Sequence, residues 1–128
     1  FHSEIGFNYR MPNLNAALVL SQLENLKALI ENKKQLFNNY QDFFKGTNLL
    51  VHPLKQTNWN HWLFSICVES IEERNEFLKA TNDSNIMTRP IWSLMFKLPM
   101  YENCQRDDQK NSLYLEQRII NIPSSARL

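Results

Sequence analysis

The sequence predicts an α/β (α+β) fold, a small sandwich in which a mostly antiparallel sheet is covered by helices. Three observations predict it. The 128 residues suit a single domain, 43% of them are hydrophobic, and helix-like and strand-like apolar patterns alternate along the chain. A chain of this size forms one core without needing disulfides or a structural metal. We therefore expect a single domain over residues 1–128.

The first expected elements are a lead-in loop over residues 1–12 and a long helix over residues 13–45. This helix contains neither glycine nor proline, and apolar or small residues recur in it every three or four positions, interrupted only by Lys33. Asn13 is expected to cap the start of the helix, and Gly46 to end it with a positive φ.

The predicted helix is long for its domain. It would measure about 48 Å, whereas a compact domain of 128 residues has a diameter of about 36 Å. Its apolar stripe would then need cover from another domain or another subunit. The alternative is two shorter helices joined at residues 32–35. Because the sequence begins with Phe1 rather than methionine, we also expect a trimmed product or a part of a longer protein.

Two strands and a helix are expected next. Residues 49–52 form a short apolar run, and residues 61–68 alternate apolar with other side chains. This alternation places four side chains on one face of the strand: Trp62, Phe64, Ile66 and Val68. Ser70 and Glu73 have the spacing of a capping box at a helix start. The helix is expected to end just before a turn over residues 81–85.

A third strand over residues 86–92, a helix that starts at Asp107 and Asp108, and a last strand over residues 119–122 complete the prediction. Pro90 indicates an edge position or a bulge in the third strand, because proline has no N–H to donate to a ladder. The two aspartate carboxylates favour the positive end of a helix that runs to residue 117 or 118.

Composition and charge exclude several function classes. A net charge of +1 argues against nucleic acid, and no apolar run approaches the roughly 20 residues that span a bilayer. The three histidines, His2, His52 and His61, have no metal-binding spacing to one another or to a cysteine. Cys67 and Cys104 lie far apart, which favours a reducing, cytoplasmic setting. We expect no nucleic acid, membrane or metal partner.

Two segments carry candidate binding chemistry. Residues 6–12 combine a glycine, Asn8 and Arg10 just before a helix N-terminus, an arrangement that binds phosphate. The alternative is a lead-in loop that packs its aromatic side chains. In the second segment Arg89 lies close to Trp92, and this pair suits a flat, charged ligand such as a nucleotide. The alternative there is an ordinary strand exit with an aromatic core anchor.

The stretch GFNYRMPNLNAALVLSQLENL resembles the segment just past the active-site lysine in the DegT/DnrJ/StrS family of pyridoxal-phosphate-dependent sugar aminotransferases. The runs IMTRPIW, SLMFKLPMYENCQRDD and INIPSS extend the resemblance over essentially the whole chain. These later runs are most similar to the branch that makes 4-amino sugars on 4-keto substrates derived from UDP-N-acetylglucosamine, for legionaminic acid or bacillosamine.

The resemblance implies the small C-terminal domain of the aspartate aminotransferase fold (type I), in a chain roughly three times longer. The lysine that binds pyridoxal 5'-phosphate would then lie outside this sequence, and no residue here is expected to be catalytic. By position in the family motif, Asn8 would contact the cofactor phosphate of the partner subunit in a homodimer. Tyr9 and Arg10 would lie near that same active site.

The resemblance also places Arg89 and Trp92 beside the nucleotide-sugar pocket as substrate-binding residues. One position departs from the family, since relatives usually carry a histidine where this sequence has Phe96. The side chain of phenylalanine neither hydrogen-bonds nor exchanges a proton. This position therefore leaves open which substrate the enzyme takes and whether it is active.

The implied function is amino transfer from an amino acid, with glutamate as the expected donor, to a 4-keto nucleotide sugar in cell-surface glycan or nonulosonate biosynthesis. The 128-residue chain alone is expected to be inactive. Two alternatives stay open: a non-catalytic module that interacts through its long helix, and a degenerate homologue that binds sugar nucleotides without transferring an amino group.

Overall fold

A computed structural model describes residues 4, 6–7 and 9–126. It shows a three-stranded antiparallel sheet covered by helices, which confirms the predicted fold class. The strands lie in the order β1-β3-β2. The elements follow one another as α1 (Asn13–Glu24), α2 (Leu26–Phe43), β1 (Phe64–Cys67), α3 (Ile71–Asp83), β2 (Arg89–Pro90), α4 (Lys110–Glu116) and β3 (Ile119–Ile122). Short 3-10 turns at Met95–Lys97 and Pro99–Tyr101 lie between β2 and α4.

The long predicted helix is divided at Asn25, and the alternative of a joint at residues 32–35 is wrong because α2 runs through Lys33 without a break. Asn25 has ψ near 2°, and its side-chain amide donates to the Ser21 carbonyl oxygen at 3.0 Å. Asparagine competes for backbone hydrogen bonds in this way, which makes it a poor residue for a helix interior. No residue of α1 is buried, so the apolar stripe of this helix is exposed.

The start of this helical pair is capped differently from the prediction, and its last helical residue is Phe43 rather than residue 45. Pro12 precedes α1 and makes no side-chain cap hydrogen bond, and Asn13 is the first helical residue, so the expected Asn13 cap is wrong. At the other end Gly46 has a φ of +85°, as predicted.

The sheet is shorter than predicted at three places. The predicted strand over residues 49–52 reduces to one bridge between Leu50 and Ile66, and the strand over residues 61–68 begins only at Phe64. The third strand reduces to β2, which lies at the sheet edge, as Pro90 predicts. The last strand, β3, has the predicted bounds.

The core forms where α2 packs on one face of the sheet. Phe64 pairs with Ile122, and Ile66 with Ile120, so these four buried side chains share a face. Phe37 of α2 lies against this face, with its ring 5.2 Å from that of Phe64. Burial of each such side chain stabilises the fold by roughly 1.5–3 kcal/mol.

Of the two expected acidic helix starts, only that of α3 forms. The prediction that the last helix starts at Asp107 and Asp108 is wrong, because α4 begins at Lys110 and has no acidic residue in its first turn, while the Asp107 carboxylate accepts the Gln109 N–H at 2.9 Å in the turn before it. The Ser70 hydroxyl accepts the Glu73 N–H at 3.1 Å, while the Glu73 carboxylate accepts the N–H of Glu69 at 2.9 Å. This is the predicted capping box, with the return contact one residue earlier. Helix α3 extends to Asp83, into the predicted turn, and Asn85 with a φ of 59° follows it.

None of the helices in the described part of the chain has the length and apolar character that crossing a membrane requires.

Candidate functional site

A cleft of about 560 Å³ opens where α2, β2 and the end of β3 approach one another. Arg89 and Trp92, both predicted from the sequence as substrate-binding residues, line it together. Nine further residues line the same cleft, and none of them was selected from the sequence as a site residue; Lys33, Trp62 and Ser124 are among them. The cleft therefore brings the predicted pair together with neighbours that were not predicted.

Trp62 lies on this cleft because the chain turns just before it and β1 begins only at Phe64. His61 has a φ of 54°, a left-handed conformation, and the Asn60 side-chain oxygen accepts the Trp62 N–H at 3.1 Å. This turn displaces Trp62 from the buried face that the alternation predicted. Its indole lies 5.9 Å from that of Trp92, at 25° between the ring planes.

Lys33 is the residue through which helix α2 lines the cleft. Its Nζ donates to the carbonyl oxygen of Trp62 at 3.0 Å and, by a short hydrogen bond, to the carbonyl oxygen of Ser124. Burial lowers the pKa of Lys33 from its ordinary value. The amine therefore acts as a fixed donor between two backbone segments.

The segment after β3 is fixed by further contacts. The Ser124 hydroxyl accepts the Phe64 N–H at 2.8 Å and donates to the Ile122 carbonyl oxygen at 2.7 Å. The Tyr40 hydroxyl donates to the Pro123 carbonyl oxygen at 2.9 Å. Because these bonds reach β1 and α2 as well as β3, the floor of the cleft is one connected unit.

Arg89 and Trp92 are held from both sides of β2. The buried Thr88 hydroxyl lies 2.6 Å from that of Thr81, and Asn82 Nδ2 donates to the Thr88 carbonyl oxygen at 3.1 Å. Beyond Trp92, the Glu116 carboxylate accepts the Leu94 N–H at 3.1 Å. Rigid neighbours therefore present two exposed side chains to the cleft.

The charge and shape of the cleft define the ligand that it fits. Two cations, Lys33 and Arg89, and two indoles line it, and no carboxylate does so among the residues that the structure describes. An aromatic face binds a planar ring, while a guanidinium binds phosphate oxygens in a forked geometry. The arrangement fits an anionic ligand that carries a planar group.

The other predicted segment, residues 6–12, contributes no described residue to this cleft. Asn8 lies outside the described residues. Tyr9 is 90% exposed and stacks only loosely on Phe7, with 6.3 Å between ring centroids. Arg10 is also exposed. The structure thus places Tyr9 and Arg10 on the surface before α1, and neither lines the cleft.

Phe96 lines a separate cleft of about 350 Å³. The Arg106 guanidinium lies over its ring, 5.0 Å from the centroid. Burial raises the pKa of the Cys67 thiol, and within residues 4, 6–7 and 9–126 no three metal-ligating side chains converge.

The described residues carry one kind of group that a pyridoxal phosphate site uses, a phosphate-binding cation. The exposed Arg10 guanidinium offers donors of the kind that bind a phosphate group. Lys33 is the one lysine on the described lining of the cleft, and its amine is engaged by two carbonyl oxygens, so it is not available to form a bond to the cofactor. The described lining of the cleft therefore offers no free lysine amine as a covalent anchor.

Known proteins resemble this chain in sequence or in fold. The E. coli O157:H7 protein named GDP-perosamine synthase is 35% identical over 128 residues, which are 97% of this chain and 34% of that protein. Helicobacter pylori PseC, titled an aminotransferase involved in the biosynthesis of pseudoaminic acid, superposes with a TM-score of 0.80 at 21% identity, over 98% of this chain and 35% of that one.

A third protein shows that one fold serves more than one reaction. The E. coli GDP-4-keto-6-deoxy-D-mannose-3-dehydratase, solved with bound hydrated PLP, superposes with a TM-score of 0.73 at 19% identity, over 94% of this chain and 33% of that one. The chain thus spans about a third of the length of each of these three proteins. The model of the DegT/DnrJ/EryC1/StrS aminotransferase family matches residues 1–128, and the chain therefore belongs to that family.

Proposed function

We propose that this chain is the C-terminal domain of a longer pyridoxal-phosphate-dependent aminotransferase, which transfers an amino group from an amino acid to a 4-keto nucleotide sugar. One observation carries the proposal. Arg89 and Trp92 line the same cleft as Lys33, and none of the described residues that line this cleft is a carboxylate. Glutamate is the proposed donor, and the residues that bind the cofactor covalently would lie outside this chain.

The proposed roles follow from the chemistry of each side chain. Arg89 binds the diphosphate of the substrate, and Trp92 contacts its planar base. Lys33 holds the wall of the cleft rather than reacting, because its amine is bonded to two carbonyl oxygens. When bound, pyridoxal phosphate supplies the group that carries the amino nitrogen between the two substrates.

The cofactor contacts belong to the loop before α1. We propose that Asn8 contacts the cofactor phosphate of the partner subunit in a homodimer, and that Tyr9 and Arg10 lie beside that substrate. The exposure of Tyr9 and Arg10 supports this, since side chains that serve a neighbouring subunit point away from their own core. The described loop also packs little on the rest of the chain.

The nucleotide and the sugar are the finer part of the proposal. The sequence resemblance favours a UDP-linked substrate of the legionaminic acid or bacillosamine branch. The name of the E. coli relative favours a GDP-linked one. Both are nucleotide sugars, and the class proposed here is a 4-keto nucleotide sugar, in cytoplasmic synthesis of surface polysaccharide precursors.

The exposed stripe of α1 favours a second candidate, an interaction module that pairs through this helix without chemistry. Helix α1 buries none of its residues, and Leu14, Leu18 and Leu23 are each more than half exposed. This candidate has no use for the paired Arg89 and Trp92, and the substrate assay below distinguishes the two.

The test starts from the coding DNA upstream of Phe1. We expect an in-frame extension of about two further domain lengths. The protein made from the whole frame is incubated with glutamate and with 4-keto sugars on UDP, GDP or dTDP. A 4-amino sugar nucleotide from one of them is the expected product.

Two results would overturn the proposal: no conversion of any of these sugars, or loss of water from the sugar without gain of nitrogen. The 128-residue chain alone is the control. It is expected to form no product and no borohydride-trapped lysine adduct with pyridoxal phosphate.

A further inference from the structure

Trp62 is exposed although it is one of the largest apolar side chains of the domain. Its residue is 62% exposed and Trp92 is 64% exposed, while their rings stack at 5.9 Å. A tryptophan gains several kcal/mol from full burial. Two stacked indoles left at the wall of one cleft are therefore a feature that folding alone does not explain.

The Trp62 backbone is fixed on both sides. Its N–H donates to the Asn60 side chain at 3.1 Å, and its carbonyl oxygen accepts from Lys33 at 3.0 Å. On the other side of the pair, Ile91 N–H donates to the Ile119 carbonyl oxygen at 3.2 Å, just before Trp92. The aromatic pair is thus held in place before any ligand binds, which reduces the entropy cost of binding.

We propose that Trp62 is a base-stacking residue of the substrate site, and that Trp62 and Trp92 together offer one aromatic face to a nucleoside diphosphate. This inference rests on the proposed function and adds a residue that neither the sequence nor the family match selects. Arg89, on the same cleft, binds the diphosphate that the base carries.

The spacing of the rings determines how the base binds. A ring inserted between two others needs a gap of about 7 Å, or two van der Waals contacts of roughly 3.5 Å. The indole centroids are 5.9 Å apart, so the base does not enter between the rings and stacks on the outer face of Trp62, next to Trp92. Stacking uses the π face that every base has, and it therefore selects weakly among bases.

The charge of the cleft supports a phosphate-bearing ligand over an apolar one. Lys33 and Arg89 lie on the same lining as the indoles, and the described lining contains no carboxylate to neutralise them. A protein segment that covered the indoles would need to bring its own acidic side chain to pair with the Arg89 guanidinium. The experiment below distinguishes such a segment from a nucleotide.

The experiment measures binding of UDP and GDP by titration calorimetry to the protein as the cell makes it. Trp62→Leu removes the stacking face, Trp62→Phe keeps a smaller one, and Trp59→Phe is the control. Trp59 packs on Phe37 in the core, 5.0 Å between centroids, and does not line the cleft.

We expect Trp62→Leu to weaken the dissociation constant of both nucleotides by at least about fivefold, the lower end of base–aromatic stacking. Trp62→Phe retains most of the affinity, and Trp59→Phe all of it. In the amino-transfer assay, Trp62→Leu raises KM and leaves kcat. Should Trp62→Leu not fold, nucleotide quenching of tryptophan fluorescence, expected to be smaller in Trp62→Phe than in wild type, takes its place.

Unchanged affinity in Trp62→Leu overturns the inference. It is also overturned if this variant loses subunit or domain association while nucleotide affinity stays intact, because Trp62 would then be covered by protein. These results are distinct from a failure of the proposed function. Amino transfer with an indifferent Trp62 contradicts the inference alone, whereas UDP binding that depends on Trp62 without amino transfer contradicts the function alone.

Discussion

The Lys33 amine donates to the carbonyl oxygen of Ser124, which lies 91 residues further along the chain. Lys33 also donates to the Trp62 carbonyl oxygen, so one side chain joins α2, the segment before β1 and the segment after β3. Lys33, the polar residue that interrupts the apolar stripe of the helix, therefore connects three chain segments at the cleft. It fixes the relative position of the chain segments that form the proposed site.

Removing this connection should destabilise the protein. Lys33→Met is expected to lower the free energy of unfolding by about 1.5–3 kcal/mol, because two carbonyl acceptors lose a charged donor. Denaturant unfolding measures the change. Lys34→Met is the matched control: its amine lies on the surface, 3.8 Å from Glu31, and exposed pairs contribute little. Equal stability of the two variants would contradict the structural role of Lys33.

Arg89 is expected to act on substrate affinity. Arg89→Gln should raise KM for the nucleotide sugar about tenfold, since a charged hydrogen bond to the diphosphate contributes roughly 1.5 kcal/mol. The folded structure should change little because the side chain is exposed. Steady-state kinetics measures KM, with Lys79→Gln, a surface change on α3, as control. A KM equal to that of wild type would remove Arg89 from the site.

His61 should make stability depend on pH. Its ring lies 4.3 Å from that of Trp59, and its buried Nδ1 has no hydrogen-bond partner within the described chain. Burial lowers the pKa of His61 below 6.5, and Lys34 and Lys33 lower it further, while Glu31 opposes them. Below pH 6.5 the unfolded chain binds more protons at this histidine than the folded chain does. The contribution of neutral His61 to the free energy of unfolding is therefore fully present above pH 6.5 and is lost as the pH falls toward the lower pKa of the folded state.

The measurement is denaturant unfolding between about pH 8 and pH 5. His61→Asn keeps a residue that tolerates positive φ and removes the titration. We expect the fall in stability toward low pH to be shallower in this variant and to persist in His52→Asn, which changes an exposed histidine. The same slope in His61→Asn and wild type would rule out His61 as the cause.

The capping box of α3 gives a prediction about stability alone. Ser70→Ala removes the acceptor of the Glu73 N–H and should cost about 1 kcal/mol. Ser93→Ala, at an exposed loop position, is the control and should be neutral. Thermal unfolding checks both, and a neutral Ser70→Ala would mean that water replaces the cap at no cost.

Local signals predicted those parts of the fold that depend on neighbours in sequence. The capping box at Ser70, the positive φ at Gly46 and the bounds of β3 each follow from a few adjacent residues. Arg89 and Trp92 could be chosen from the sequence as a candidate site for the same reason, because they lie only three residues apart.

The rest depends on contacts between distant parts of the chain. The period-two alternation predicted Trp62 on the buried face, but Asn60 and the left-handed His61 delay the strand to Phe64. The one available signal for Lys33 was its polarity within an apolar stripe, and its partners are 29 and 91 residues away. The interruption at Asn25 had no glycine or proline to mark it.

The central claim is that a protein containing this chain moves nitrogen from an amino acid to a nucleotide sugar. The most direct measurement supplies glutamate labelled with heavy nitrogen and a 4-keto nucleotide sugar, and follows the label by mass spectrometry. We predict that the label appears in the sugar product, at a rate that Arg89→Gln lowers when substrate is scarce. Label that remains in glutamate while the 4-keto sugar is unchanged, or is dehydrated without gaining nitrogen, would contradict the account.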